Sequence, residues 1–134
     1  MFPPDTLTLV VDDMPTIRDM VRQNLKQLGI ANILEAEDGE QAMTMIERNR
    51  TDGTDIGLVI CDWNMPNMKG IELLKLCRSK DEYKELPFVL LTSESDREQV
   101  TEAVFAGVSQ YIVKPFSLNT LTEKLKAAWT KHNK

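Results

Sequence analysis

Thiol and imidazole groups are scarce in this 134-residue chain, which has two cysteines and one histidine. Cys61 and Cys77 are too few and too far apart for a zinc site or a disulfide framework. Cys61 ends an apolar run and reads as a small buried hydrophobe. His132 falls among the last few residues and reads as a solvated tail residue, neither ligand nor phospho-acceptor. No apolar run approaches the ~20 residues a bilayer span needs. The segment Met1-Phe2-Pro3-Pro4-Asp5 has neither the basic region nor the apolar stretch of a signal peptide. A cytoplasmic chain without membrane insertion is therefore expected. Positive charge is also short, with 16 Lys and Arg against 21 Asp and Glu, a net charge of -5. No stretch concentrates Lys or Arg with interleaved aromatics, so nucleic acid is disfavoured as a partner. Solenoid-period repeats and low-complexity linkers are absent too.

What is present is ordinary for a globular protein, 42% hydrophobic and 28% charged, and the length suits one domain with one core. Five short apolar runs alternate with five amphipathic stretches. The runs are Leu7–Val11, Ile33–Ala36, Leu58–Cys61, Phe88–Leu91 and Tyr111–Val113. Most are almost continuously apolar, as parallel strands covered on both faces should be. Helical spacing links Ile17, Val21, Leu25 and Leu28, with Gly29 as the stop. It also links Ala42, Met43 and Ile46; Ile71, Leu74 and Cys77; Val100, Ala103 and Val104; and Leu118, Leu121, Leu125, Ala128 and Trp129. The polar stretch Asn49–Asp55 reads as a surface loop. The pattern predicts an α/β fold, a (βα)5 doubly wound parallel sheet with right-handed crossovers.

The residues able to do chemistry stand where the apolar runs end. Asp12 and Asp13 follow the first run, Asp62 the third, Thr92 and Ser93 the fourth, and Lys114 the fifth. In a parallel sheet these ends share one edge, where such folds bind ligands. The strand order 2-1-3-4-5 makes strands one and three neighbours and brings three carboxylates together. Three anions in one crevice repel, so protons or a cation must offset them. An all-oxygen set points to Mg²⁺. A lysine and a hydroxyl beside such a cation suit a phosphoryl group. Taken singly, Asp13 could cap the helix that begins near Pro15. Asp62 could be a turn residue, and Thr92 or Ser93 a cap. Together, at the ends of four of the five strands, they form a set.

The segments Val10-Val11-Asp12-Asp13, Cys61-Asp62-Trp63-Asn64-Met65-Pro66-Asn67-Met68, Leu91-Thr92-Ser93-Glu94 and Tyr111-Ile112-Val113-Lys114-Pro115-Phe116 resemble response-regulator receiver domains. Within that family the likeness is to single-domain chemotaxis regulators, through Asp62–Met68 and Glu35-Ala36-Glu37-Asp38-Gly39. The resemblance implies a flavodoxin-like receiver over residues 1–134 with no output domain. It implies Asp62 as phospho-acceptor for a histidine kinase of the chemotaxis type. Asp13, Asp62 and the backbone carbonyl of Asn64 would ligate Mg²⁺, with Asp12 acting through water. Lys114 would contact a phosphoryl oxygen, placed by a cis bond to Pro115. Thr92 would move toward the phosphoryl group and free space for Tyr111 to turn inward, although Tyr111 also reads as a half-buried strand residue with a wet hydroxyl. Asn64 and Glu94 would tune hydrolysis. The output would be a flagellar-motor switch protein, with a phosphatase as a further partner and a monomeric state. Such a chain is no metabolic enzyme; it catalyses its own phosphorylation and dephosphorylation.

Some positions depart from the family pattern. Lys69 precedes Gly70 where an acidic residue is usual, and Ser95-Asp96-Arg97 replaces a basic pair. The 49–55 loop looks longer. These changes leave a phosphorelay intermediate or phosphate sink as the alternative to motor control. A haloacid-dehalogenase-type phosphatase would need a carboxylate at Asn64. A flavodoxin-like electron carrier would need a Ser/Thr-rich loop where Asp12-Asp13-Met14-Pro15 stands.

Overall fold

A computed structural model describes residues 1–93 and 97–133. The elements run β1 (Thr8–Val11), α1 (Pro15–Gln27), β2 (Ile33–Ala36), α2 (Gly39–Thr51), β3 (Leu58–Asp62), α3 (Gly70–Arg78), β4 (Phe88–Thr92), α4 (Arg97–Phe105), β5 (Gln110–Val113) and α5 (Leu118–His132). The five strands are parallel in the order β2-β1-β3-β4-β5. Successive strand side chains point to opposite faces, so a strand apolar throughout feeds two cores. Leu9, Val11, Val59, Cys61, Phe88 and Leu90 face α2, α3 and α4. Val10, Leu58, Ile60, Val89, Leu91 and Ile112 face α1 and α5. Both cysteines are free and buried in the first of these layers.

Helix boundaries follow local chemistry. Pro15 occupies the first turn of α1, where its missing N–H costs nothing. Gly29, at φ +88°, takes the left-handed turn beyond α1. Asp38 caps α2 by accepting the Gln41 N–H at 2.8 Å, and Ser117 caps α5 by accepting that of Thr120 at 3.1 Å. Asp13 does not cap α1. The cap position is Met14, without a side-chain bond, and it is the Asp12 carboxylate that accepts the Met14 N–H, at 2.9 Å.

Three expectations are corrected. The stretch from Asn49 is not all loop, because α2 runs to Thr51. Its polar residues lie on the outer face of a helix, and Gly53, at φ +79°, ends it by donating to the Arg50 carbonyl at 3.1 Å. In α4 only Ala103 is fully buried, while Val104 and Phe105 are 61% and 88% exposed. His132 is no solvated tail. It closes α5, with Nε2 at 2.7 Å from Ser109 Oγ and Nδ1 at 3.3 Å from Glu85. The end of the sheet opposite the carboxylates is also closed by Phe2, which is buried and meets Trp129 edge-on at 5.2 Å between centroids.

Candidate functional site

The sheet register assembles the strand-end residues. Val11 pairs with Cys61 across β1 and β3, so Asp12 and Asp62 emerge side by side. Each position is pinned by a main-chain bond at the end of its ladder. Asp12 N–H donates to the Ala36 carbonyl at 3.1 Å, Trp63 N–H to that of Leu91 at 2.8 Å, and Lys114 N–H to that of Thr92 at 2.7 Å. One carboxylate oxygen from each of Asp12, Asp13 and Asp62 lies within 4.8 Å of the other two. Asp12 and Asp62 are buried and Asp13 is exposed.

Lys114 is the cation among them. Its Nζ lies 3.1 Å from Asp62 Oδ1 and 3.4 Å from Asp12 Oδ2. The peptide between Lys114 and Pro115 is cis. Asp62 Oδ1 also accepts the Trp63 N–H at 2.9 Å, which leaves Oδ2 without a partner among the described residues. Burial pushes the Asp62 carboxyl up from its ordinary value, more than the Lys114 contact and the Trp63 N–H pull it down, and Asp12 adds to the rise. Burial works against the Lys114 ammonium, yet Asp62 and Asp12 hold it above its ordinary value. One ammonium among three carboxylates leaves uncompensated negative charge. Only oxygens are on offer, so the cluster fits a hard dication such as Mg²⁺.

Asn64 is exposed on the loop that follows Asp62. Thr92 is buried at the end of β4, and its Oγ1 donates to Gln99 at 3.2 Å. Tyr111 is half-buried on β5, with Lys124 Nζ 5.1 Å from its ring centre. Between Thr92 and Tyr111 lies a void of about 10 Å³, walled also by Trp63, Gln99, Val100 and Ala103, roughly the room of one water. Glu94 and Asp96 lie outside the described residues. Clefts of about 520 and 260 Å³ lie at the opposite end of the sheet, beside Trp129 and beside Tyr83, and others of about 430 and 350 Å³ lie along α2 and α4. The three carboxylates form a rim at the C-terminal ends of the strands, buried at Asp12 and Asp62 and exposed at Asp13.

Sequence reading missed the supports of this rim. Gly70 is one of them. A Cβ there would stand 2.1 Å from the Asp62 carbonyl oxygen, and its N–H donates to the Trp63 carbonyl at 2.9 Å. Asp38 is another. Its carboxylate accepts from the Gln41 N–H at 2.8 Å and from Asn67 Nδ2 at 2.7 Å, and these two bonds, in that order, hold it below its ordinary value. Asn67 stands at φ +66°, and the Gly39 N–H donates to the Met68 carbonyl at 3.1 Å. The loop after β3 is thus braced by the turn after β2. The signal was present in Asp38-Gly39 and Asn67-Met68, but nothing in a linear reading pairs them.

Known proteins resemble this chain in sequence and fold. A family model described as "Response regulator receiver domain" matches residues 8–126. The chain is 48% identical over 117 residues to chemotaxis protein CheY-3 of Vibrio cholerae, covering 87% of this chain and 86% of that protein. It is 42% identical over 118 residues to the chemotaxis protein CheY homolog of Campylobacter jejuni, covering 88% of each. The solved structure of chemotaxis response regulator CheY4 of Vibrio cholerae superposes with a TM-score of 0.81 at 33% identity, over 92% of this chain and 98% of that one.

Proposed function

The chain belongs to the response-regulator receiver family, and we propose that it is a stand-alone, monomeric, cytoplasmic response regulator that accepts a phosphoryl group on Asp62 from a histidine kinase. The observation that carries this reading is the convergence of Asp12, Asp13 and Asp62 around Lys114. Asp13, Asp62 and the main-chain carbonyl of Asn64 would hold Mg²⁺, with Asp12 acting through water. Bound there, the ion would offset charge on the transferring oxygens.

The partnerless Asp62 Oδ2 is the nucleophile. It forms a bond to phosphorus as the bond from phosphorus to the kinase imidazole breaks, and that electron pair stays on the imidazole nitrogen. Asp62 is nucleophilic as the carboxylate, which Lys114 and the Trp63 N–H favour against the cost of burial. As the product forms, Lys114 turns from the carboxylate to a phosphoryl oxygen, and the Thr92 hydroxyl leaves Gln99 to donate to another. Tyr111 then occupies the space beside Thr92. As the family resemblance implies, Asn64 and Glu94 would tune how fast water removes the phosphoryl group, and a phosphatase partner would act on that step.

The test uses Mg²⁺ and acetyl phosphate, read as intact mass and by phosphate-sensitive electrophoresis. The parent should gain one phosphoryl group and Asp62→Asn none. Equal uptake by the two proteins would overturn the assignment. Output through a flagellar-motor switch protein is the further reading favoured by the chemotaxis relatives.

A further inference from the structure

One guanidinium beside the carboxylates joins three elements. Arg18 lies near the start of α1 with its side chain only 12% exposed. Its Nη1 donates to the main-chain carbonyl of Asp12 at 2.6 Å. Its Nε donates to Glu35 of β2 at 3.0 Å. Arg22, one turn further along α1, stands 3.7 Å from the other Glu35 oxygen and pairs with Asp19. The end of β1 is thereby tied to a helix on one side and a neighbouring strand on the other.

The accepting carbonyl belongs to the peptide that joins Asp12 to Asp13. Asp12 has supports of its own, since its carboxylate is held by the Met14 N–H and by Lys114. Asp13 has none. Its carboxylate is exposed and makes no hydrogen bond or ion pair with any described residue. Its direction is set by the main chain that carries it, and Arg18 holds that chain.

We propose that Arg18 is a positioning residue, which aims Asp13 into the acid cluster and so sets the cluster's affinity for a dication. The inference rests on the reading of Asp12, Asp13 and Asp62 as a Mg²⁺ site. A guanidinium suits the task because its rigid fork donates in two directions at once, here to a carbonyl and a carboxylate. A lysine presents its donors from one point. The charge of Arg18 acts in the opposite sense. A cation beside the carboxylates repels an incoming dication, so if charge were its only contribution, removing it would tighten binding. The sign of the change therefore separates the two. Outer partners of metal ligands typically carry 10–100-fold in affinity, so the loss of positioning is expected to win.

The experiment titrates Mg²⁺ against the emission of Trp63, which is buried next to Asp62, and records the Mg²⁺-induced rise in Tm as a second readout. The proteins are the parent, Arg18→Ala, Arg18→Lys and Glu35→Gln. Arg18→Ala should weaken binding by about 10-fold or more. Arg18→Lys, which keeps the charge without the fork, should weaken it too. Glu35→Gln, which keeps an acceptor for Nε, should stay close to the parent. A merely structural role would lower Tm in EDTA while leaving the Mg²⁺ affinity unmoved, and that result overturns the inference. So does binding by Arg18→Ala as tight as the parent's, or tighter. If Arg18→Ala does not fold, Arg18→Lys decides by the same criterion. A parent that shows no Mg²⁺ response in either readout sinks the metal-site reading and this inference together. A responsive parent with an unchanged Arg18 variant sinks the inference alone.

Discussion

Glycine 70 shows how little room surrounds the acceptor strand. Its missing side chain lets α3 start against the Asp62 carbonyl, and a methyl group would also come within 3.0 Å of the Leu90 side chain. Neither the backbone oxygen nor the buried leucine can yield cheaply, because interiors are close-packed. Gly70→Ala should therefore lower stability by ~1–3 kcal/mol, the usual cost of overpacking. Urea unfolding of the two proteins would measure it, and equal midpoints would contradict the close approach. The same residue shows where sequence reading runs out. Asp12, Asp13, Asp62, Thr92 and Lys114 are legible as a set because each ends an apolar run, and one sheet edge collects such ends. Gly70 and Arg18 announce nothing, and Asp38-Gly39 does not name its partner, since their roles depend on contacts with distant residues: the Asp62 carbonyl, Glu35 and Asn67.

At the scale of elements, the last turn of α5 is fastened by His132. The imidazole faces Glu85 from the segment before β4, Arg78 of α3, its neighbour Lys131, and the Ser109 hydroxyl at the start of β5. Ser109 Oγ already accepts the Phe88 N–H at 2.9 Å and has Arg78 at 3.5 Å. A neutral ring can accept the hydroxyl proton, whereas a charged ring would be one more donor. Burial, chiefly, holds the imidazole below its ordinary value of 6.5, with Glu85 opposing and Arg78 and Lys131 assisting. A histidine with a lowered folded value contributes stability above its ordinary range and loses it as pH falls through 6.5 toward the folded value. Thermal unfolding should therefore show a fall in Tm below about pH 6.5 that His132→Leu removes. An identical pH profile in the two proteins would contradict the fastening. Elements were largely legible from apolar periodicity and from Gly29 and Pro15. The exceptions share a cause. The outer face of α2 from Asn49 to Thr51 is as polar as a loop, and α4 exposes Val104, which a periodic reading assigns to the core.

As a whole, the molecule has two unlike ends. One carries the carboxylate rim, and the other is closed by Phe2, Trp129 and His132. No helix among the described residues is long and apolar enough to cross a membrane. On the proposed reading an output passes through a surface, and α4, β5 and α5 offer one, with Val104, Phe105 and Val113 exposed and Lys124 over Tyr111. A phosphoryl group shifts such a surface only by its differential affinity for two states. A coupling of ~1–3 kcal/mol would raise the affinity of the phosphorylated form for a peptide from a flagellar-motor switch protein ~5- to 150-fold. Calorimetric titration of phosphorylated protein, unphosphorylated protein and Tyr111→Ala would measure it. Equal affinity of the first two would favour a relay intermediate or phosphate sink. The two thiols carry a different consequence. Burial drives the Cys61 thiol well above its ordinary range, with Asp62 and Asp12 adding to it, and takes that of Cys77 up to about 11. Both are shut between the sheet and its helices, so an alkylating reagent reaches neither while that layer stays closed. The pace of alkylation is then a clock for the opening of the layer, and Cys61, next in sequence to Asp62, places that clock beside the site.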